Sequence, residues 1–141
     1  MIMFSVLLGC ILSTLAVFQF ADAQGHDEKP SRLAIVWTSA DPDVAHKMAF
    51  MYVHASQGQG WFDENLVIVW GPSSKLLSTD EKLQEKVKAM MKSGVKFQAC
   101  KACSDSYGVS GKLSELGIEV LYMGRPLTNI LKDDGWEVMT F

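Results

Sequence analysis

Cysteine is scarce in this chain. Three of the 141 residues are cysteine: Cys10, Cys100 and Cys103. A structural zinc centre takes about four ligands, so Cys100 and Cys103 by themselves are half of one. Clustered basic charge is missing too. The 13 Lys and Arg are scattered among 16 Asp and Glu, and no stripe forms of the kind that tracks a phosphate backbone. That excludes nucleic acid as the expected partner. Internal repeats and low-complexity tracts are absent, so the chain is neither a solenoid nor a linker. Charged side chains are lacking altogether from Met1 to Phe20.

What stands there instead is a nearly continuous apolar run, followed by Ala21-Asp22-Ala23. Small residues flanking one position are the pattern of a secretory cleavage site. The expected order is a signal peptide over 1–23, a flexible polar leader over 24–31 (QGHDEKPS), and one domain over 32–141. The run is near the lower limit for spanning a bilayer, about 17 residues. An uncleaved anchor is the rival reading. A lipid on Cys10, in LLGC, is disfavoured because the apolar run continues to Phe20. Cleavage after Ala23 leaves 118 residues. Asp22 is the one charge removed, so the net charge moves from −3 to −2. A chain of that size buries roughly two-thirds of its unfolded surface. The expected location is secreted or periplasmic, with no membrane contact after cleavage. Gln24-Gly25-His26 would then stand at the new terminus. A free amine, two amide nitrogens and an imidazole can wrap Cu(II) in a square plane.

From Arg32 onward strand and helix signals alternate. RLAIVW (32–37) and NLVIVWG (65–71) are continuous apolar runs, as in strands buried on both faces. Asp41-Pro42 gives an N-cap and a Pro at the first helical position, opening a helix to about Gln57. GPSSKLL reads as a loop. Ser78 and Glu81 fit a capping box ahead of a helix with Leu83, Val87 and Met90 on one stripe, ended by Gly94. VKFQAC (95–100) is a third strand. KACSDSY follows as a short helix ended by Gly108, and Ser110 caps another, closed by Gly117. IEVLYMG (118–124) is a fourth strand, RPLTNILKD a last short helix, and WEVMTF (136–141) an alternating strand suited to an edge. Five strands alternating with helices predict a three-layer α/β/α sandwich with a mostly parallel five-stranded sheet.

In open α/β sheets ligands gather at the carboxyl ends of strands. Cys100 falls at such an end, and Cys103 in the first turn of the helix that follows. Amides at a helix N-terminus favour a thiolate, and Lys101 adds positive charge. Thiolate is the nucleophilic form of cysteine. Four chemistries use such a pair: half of a zinc site, a structural disulfide, a thiol redox centre, and a persulfide carrier. A disulfide this short closes a small loop and contributes little chain-entropy stabilisation. A thioredoxin-type centre carries aromatic-Gly-Pro chemistry, where this chain has Lys101-Ala102. A persulfide carrier needs one thiolate that attacks a sulfane sulfur and passes it on.

GVKFQACKACSDSYGV, with LSELGIEVLYMGRPLTNIL and GWEVMTF after it, resembles the DsrE/DsrF-like family over about 32–141. The resemblance implies a small α/β sandwich engaged in sulfur transfer. It puts Cys100 at the sulfur-carrying position, with Gly108-Val109 matching the end of the family's short helix. Cys103 resembles a second cysteine found in some members, and would resolve the persulfide. The resemblance also implies small sulfur compounds or a persulfide-donor protein as partners, a homo-oligomer (trimer or hexamer), and no cofactor. Ser106-Tyr107 stands where relay members often carry Arg.

Other residues join the candidate site by position. Trp70 and Gly71 end the second strand on the same rim and would wall the pocket. Lys101 and Tyr107 would contact a sulfur anion. Asp41 is assigned to capping. His46 and His54 are expected to face solvent, and the methionines at 48, 51, 90, 91, 123 and 139 to fill the core. No metal site is expected.

Overall fold

The computed structural model describes residues 31–141. Cys10, the signal and cleavage sites, the leader through Pro30 and the Gln24-Gly25-His26 triplet lie outside the described residues. Five strands, β1 Arg32–Trp37, β2 Glu64–Val69, β3 Lys96–Cys100, β4 Glu119–Leu121 and β5 Trp136–Thr140, form one sheet in the order β4-β3-β2-β1-β5. Every neighbouring pair is parallel. All strand carboxyl ends therefore share one rim. β5 is an edge strand, as its alternation predicts.

β1 and β2 are buried from their second residue to their last, which is why they read as unbroken apolar runs. The odd residues of β1, Leu33, Ile35 and Trp37, join Val67, Val69, Phe97 and Ala99 on one face. Covering them are Phe50 and Val53, Leu77, Leu83, Val87, Met90 and Leu113. The other face holds Val36, Leu66, Ile68, Cys100 and Met123. It is covered more thinly, by Leu127 and Ile130 of α7 (Gly124–Leu131) together with Trp70 and Cys103. The two helical layers are unequal, and the cysteines lie on the thinly covered side.

The first helical stretch opens as predicted. Asp41 Oδ1 accepts the Asp43 N–H at 2.8 Å, ahead of α1 (Pro42–Val44). It then widens into a π-helical segment, Ala45–Ala49, before α2 (Phe50–Gln59). No pattern of apolar residues announces that change. The segment GPSSKLL is not a loop. Pro72–Thr79 is a helix, α3, with Pro at its first position. The cap of the next helix, α4 (Glu81–Lys92), is Asp80 and not Ser78: Asp80 Oδ1 accepts the Leu83 N–H at 3.0 Å. Ser78 is spent inside α3, donating to Lys75 O. Both corrections have one cause. α3 packs Leu77 into the core, and that burial outweighs the turn propensity of Gly-Pro-Ser-Ser.

Gly94 does close α4. Its φ of 105° lets the N–H of Val95 reach Met90 O and that of Gly94 reach Met91 O, the paired bonds of a Schellman turn. α5 (Lys101–Ser106) and α6 (Ser110–Glu115) complete the connection from β3 to β4. Ser110 does not cap α6; its hydroxyl turns back to Asp105 and Ser104.

Candidate functional site

Cys100 is the last residue of β3 and the N-cap of α5. Its φ and ψ, −67° and 110°, are still extended, so the chain turns at this residue and aims the side chain across the thinly covered sheet face. There it packs among Val36, Leu66, Ile68 and Met123 and is 5 % exposed. Cys103, three residues on, is half-buried against the same cluster. Both are free thiols.

The two sulfurs interact. Burial pushes the Cys103 thiol above its ordinary value, and a hydrogen bond with Cys100 pushes it further. The main-chain N–H of Gly71 donates to Cys103 and opposes the rise without cancelling it. Cys103 is therefore held toward its protonated form. α5 has six residues, a short dipole, and loss of water outweighs it.

Lys101 does not reach the thiols. Its ammonium pairs with Asp105 at 2.6 Å and lies 5.7 Å from the Tyr122 ring. That pairing raises its pKa, so the charge is permanent but spent locally. Trp70 is where the sequence puts it: half-buried against the cluster that holds both cysteines. Its main-chain N–H donates to Trp37 O at 2.9 Å. Gly71 contributes its N–H and, with φ 68° and ψ −133°, a backbone conformation reserved for glycine. Tyr107 is 42 % exposed and lines a shallow cleft with Pro72, Lys75, Leu76 and Thr79. Neither cysteine lines that cleft.

Sequence reasoning missed what fixes the turn. Ser104 is fully buried and donates to Cys100 O at 3.0 Å and Lys101 O at 3.2 Å. Its oxygen also meets Ser110 Oγ at 2.7 Å, and Ser110 in turn bonds Asp105. A serine four residues after Cys100 was the visible signal, since that spacing returns a hydroxyl to a carbonyl one turn back.

The switch point of the sheet, between β1 and β5, is occupied by the chain itself. Phe141 O accepts the N–H and the hydroxyl of Thr38 at 2.6 and 2.8 Å. The thiols lie away from it, at the end of β3. Among the described residues no group of three His, Cys, Asp or Glu could hold a metal ion, and no helix is long and apolar enough to cross a membrane.

His46 and His54 do not both face solvent as expected. His54 is exposed but His46 is half-buried, and both line a cavity between α2 and α4. Met48 and Met51 are 49 % and 62 % exposed, so they do not fill the core. Met90 and Met123 are buried as predicted.

Comparison with known proteins follows the same outline. The DsrE/DsrF-like family matches residues 32–141. A conserved protein of unknown function from Bacteroides thetaiotaomicron, BT1422, is 36 % identical with a TM-score of 0.75, covering 79 % of this chain and 95 % of its own. MTH1491 of Methanobacterium thermoautotrophicum, also of unknown function, is 16 % identical with a TM-score of 0.59, covering 78 % and 98 %. The latter likeness is one of fold. No curated protein matches the chain.

Proposed function

The chain belongs to the DsrE/DsrF-like family, and from that premise we propose that it is a sulfur carrier that holds sulfane sulfur as a persulfide on Cys100. The observation that carries this reading is the placement of two free thiols together at the carboxyl end of β3. Cys100 ends β3 where α5 begins, and Cys103, three residues on, packs against the same apolar cluster, so a sulfur held on Cys100 has a second thiol within its own turn of chain to resolve it.

The chemistry balances with a small persulfide or polysulfide as donor. Cys100 Sγ attacks the terminal sulfane sulfur, the donor's S–S bond breaks, and the donor leaves as a thiolate that takes up the Cys100 proton. The new S–S bond on Cys100 then sits among Val36, Ile68 and Met123, where apolar packing excludes water. Delivery reverses the step toward an acceptor thiol. If no acceptor arrives, Cys103 attacks Cys100 Sγ and expels hydrosulfide. The cysteine pair is oxidised to a disulfide, and the sulfane sulfur is reduced. The protonated state of Cys103 makes that loss slow, which suits a resolving thiol. Trp70 and Gly71 wall the site. Lys101 and Tyr107 are not at the thiols in this chain, so substrate contact through them depends on a second copy; the thin cover on this sheet face supports such a homo-oligomer. Export through residues 1–23 belongs to the same proposal, and N-terminal sequencing of the mature protein tests it.

Polysulfide treatment followed by mass spectrometry of the peptide over 97–109 tests the carrier. One added sulfur on Cys100, absent from Cys100→Ser and longer-lived in Cys103→Ser, is the expected result. No adduct on either cysteine would remove the proposal. The burial of Cys100 among apolar side chains favours one other reading, a non-catalytic module of this fold. That reading predicts no adduct on the folded protein and an adduct only when mild unfolding exposes the thiol.

A further inference from the structure

On the sheet face opposite the thiols, a cavity of about 230 Å³ lies between the first helical stretch and α4. It is lined by His46, Phe50, Met51, His54, Lys86 and Met90, with Ala89 completing the wall. Phe50 and Met90 are buried core residues and form an apolar floor. The polar groups around that floor share one character. His46 and His54 offer ring N–H groups and Lys86 an ammonium, and no carboxylate lines the space. Lys86 has no ion-pair partner among the described residues.

Two further observations mark the place as built. The Nδ1 atom of His46 is closed off from solvent with no hydrogen-bond partner among the described residues, a cost in stability carried beside the cavity. The π-helical segment Ala45–Ala49 begins beside it, where the N–H of Phe50 reaches back to Ala45 O. In a regular α-helix, residues eight apart differ by about 80° round the axis. A π turn takes more residues and so rotates less per residue. The segment therefore brings His46 and His54 closer to one stripe, over the same opening. Insertions of this kind cost hydrogen-bond geometry and recur at functional sites.

We propose that this cavity is a binding site for a small organic anion with an apolar body, a monocarboxylate carried on one ring or a short chain. The ring or chain lies on Phe50, Met51 and Met90. The carboxylate meets Lys86 and the imidazole N–H groups at the rim. A metal cation is the poorer occupant: the ammonium of Lys86 repels it, and no anionic ligand balances its charge. The volume is below that of drug-sized pockets, which limits the ligand to a fragment.

Benzoate is the probe, titrated into the full domain carrying 13C-methyl methionine. The expected result is saturable movement of the Met51 and Met90 methyl signals, with Met123, on the far face, unmoved. Lys86→Gln, at an exposed position, weakens benzoate about tenfold, the loss of one charge-assisted hydrogen bond. Ala89→Phe, also from an exposed position, fills the space and removes the response. Benzamide, with the same ring and no charge, binds at least as weakly as benzoate does to Lys86→Gln. Shifts that stay linear with benzoate, or that benzamide reproduces, overturn the proposal. So does movement of Met51 and Met90 with protein concentration alone, which would mean that a second copy covers the groove.

Discussion

The main-chain N–H of Gly71 meets the thiol of Cys103, and so ties the end of β2 to the first turn of α5. The two residues are 32 apart in sequence, and the contact opposes the rise that burial imposes on that thiol. The contact exists because Gly71 adopts φ 68° and ψ −133°, which turns its N–H inward.

Gly71→Ala tests that tie. No atom lies within 4 Å of the Cβ it would add, so the penalty is backbone strain alone, about 1–3 kcal/mol. If the loop relaxes to avoid it, the N–H swings away and the Cys103 thiol rises further. The pH profile of Cys103 alkylation, measured in a Cys100→Ser background, should move upward. A profile that stays in place would show that Gly71 does not tune the thiol.

Asp105 gives a pH dependence with a definite sign. Its hydrogen bonds with Lys101 and then Ser110 hold its carboxyl below the ordinary carboxylate range. A depressed native pKa contributes stability above the unfolded value and loses it as pH falls through the native one. The melting temperature of Asp105→Asn should trail the parent's above about pH 5 and converge on it in stronger acid. A gap independent of pH would mean that the charge is not what Asp105 contributes.

The cap of α4 separates two residues that sequence reasoning confuses. Asp80→Ala should cost about 1 kcal/mol in urea unfolding, the usual worth of an N-cap. Ser78→Ala should cost less than half of that. Its hydroxyl bonds a carbonyl within α3, a bond that adds little to a helix. A reversed order would restore Ser78 as the cap.

Trp37 and Phe50 pack edge to face at 4.9 Å, both buried. The indole N–H of Trp37 has no partner among the described residues. Trp37→Phe removes that orphan donor while opening a small void, two effects of opposite sign, and should cost under about 1.5 kcal/mol. Phe50→Ala leaves a full cavity and should cost about 3–5 kcal/mol. Chemical denaturation of the two variants compares them directly. A Trp37→Phe loss as large as that of Phe50→Ala would mean that the indole nitrogen is hydrogen-bonded in solution.

The elements that were legible in the sequence are those whose pattern is set by burial on both faces. RLAIVW and NLVIV are strands because each residue in turn meets one apolar layer or the other. The Asp41-Pro42 start and the Gly94 stop were legible because each satisfies main-chain groups locally. α3 was not, since Gly-Pro-Ser-Ser favours a turn by itself and is made helical by Leu77 docking in the core. The π segment was not, because one extra residue in a turn leaves no mark on apolar spacing this short. At the site, the position of Cys100 and Cys103 on the rim followed from a strand ending where a helix begins. Ser104, Ser110 and the Gly71 contact did not, because each depends on loops that meet in space.

The sequence by itself determined the order of strands and helices, the parallel sheet and the neighbourhood of the two thiols, since those follow from periodicity and from short-range capping. Only the tertiary structure decided which thiol is sheltered, what raises the pKa of Cys103 and where the ammonium of Lys101 goes. Those outcomes turn on desolvation and hydrogen bonding between segments distant in sequence, and apolar spacing along one chain carries no record of either.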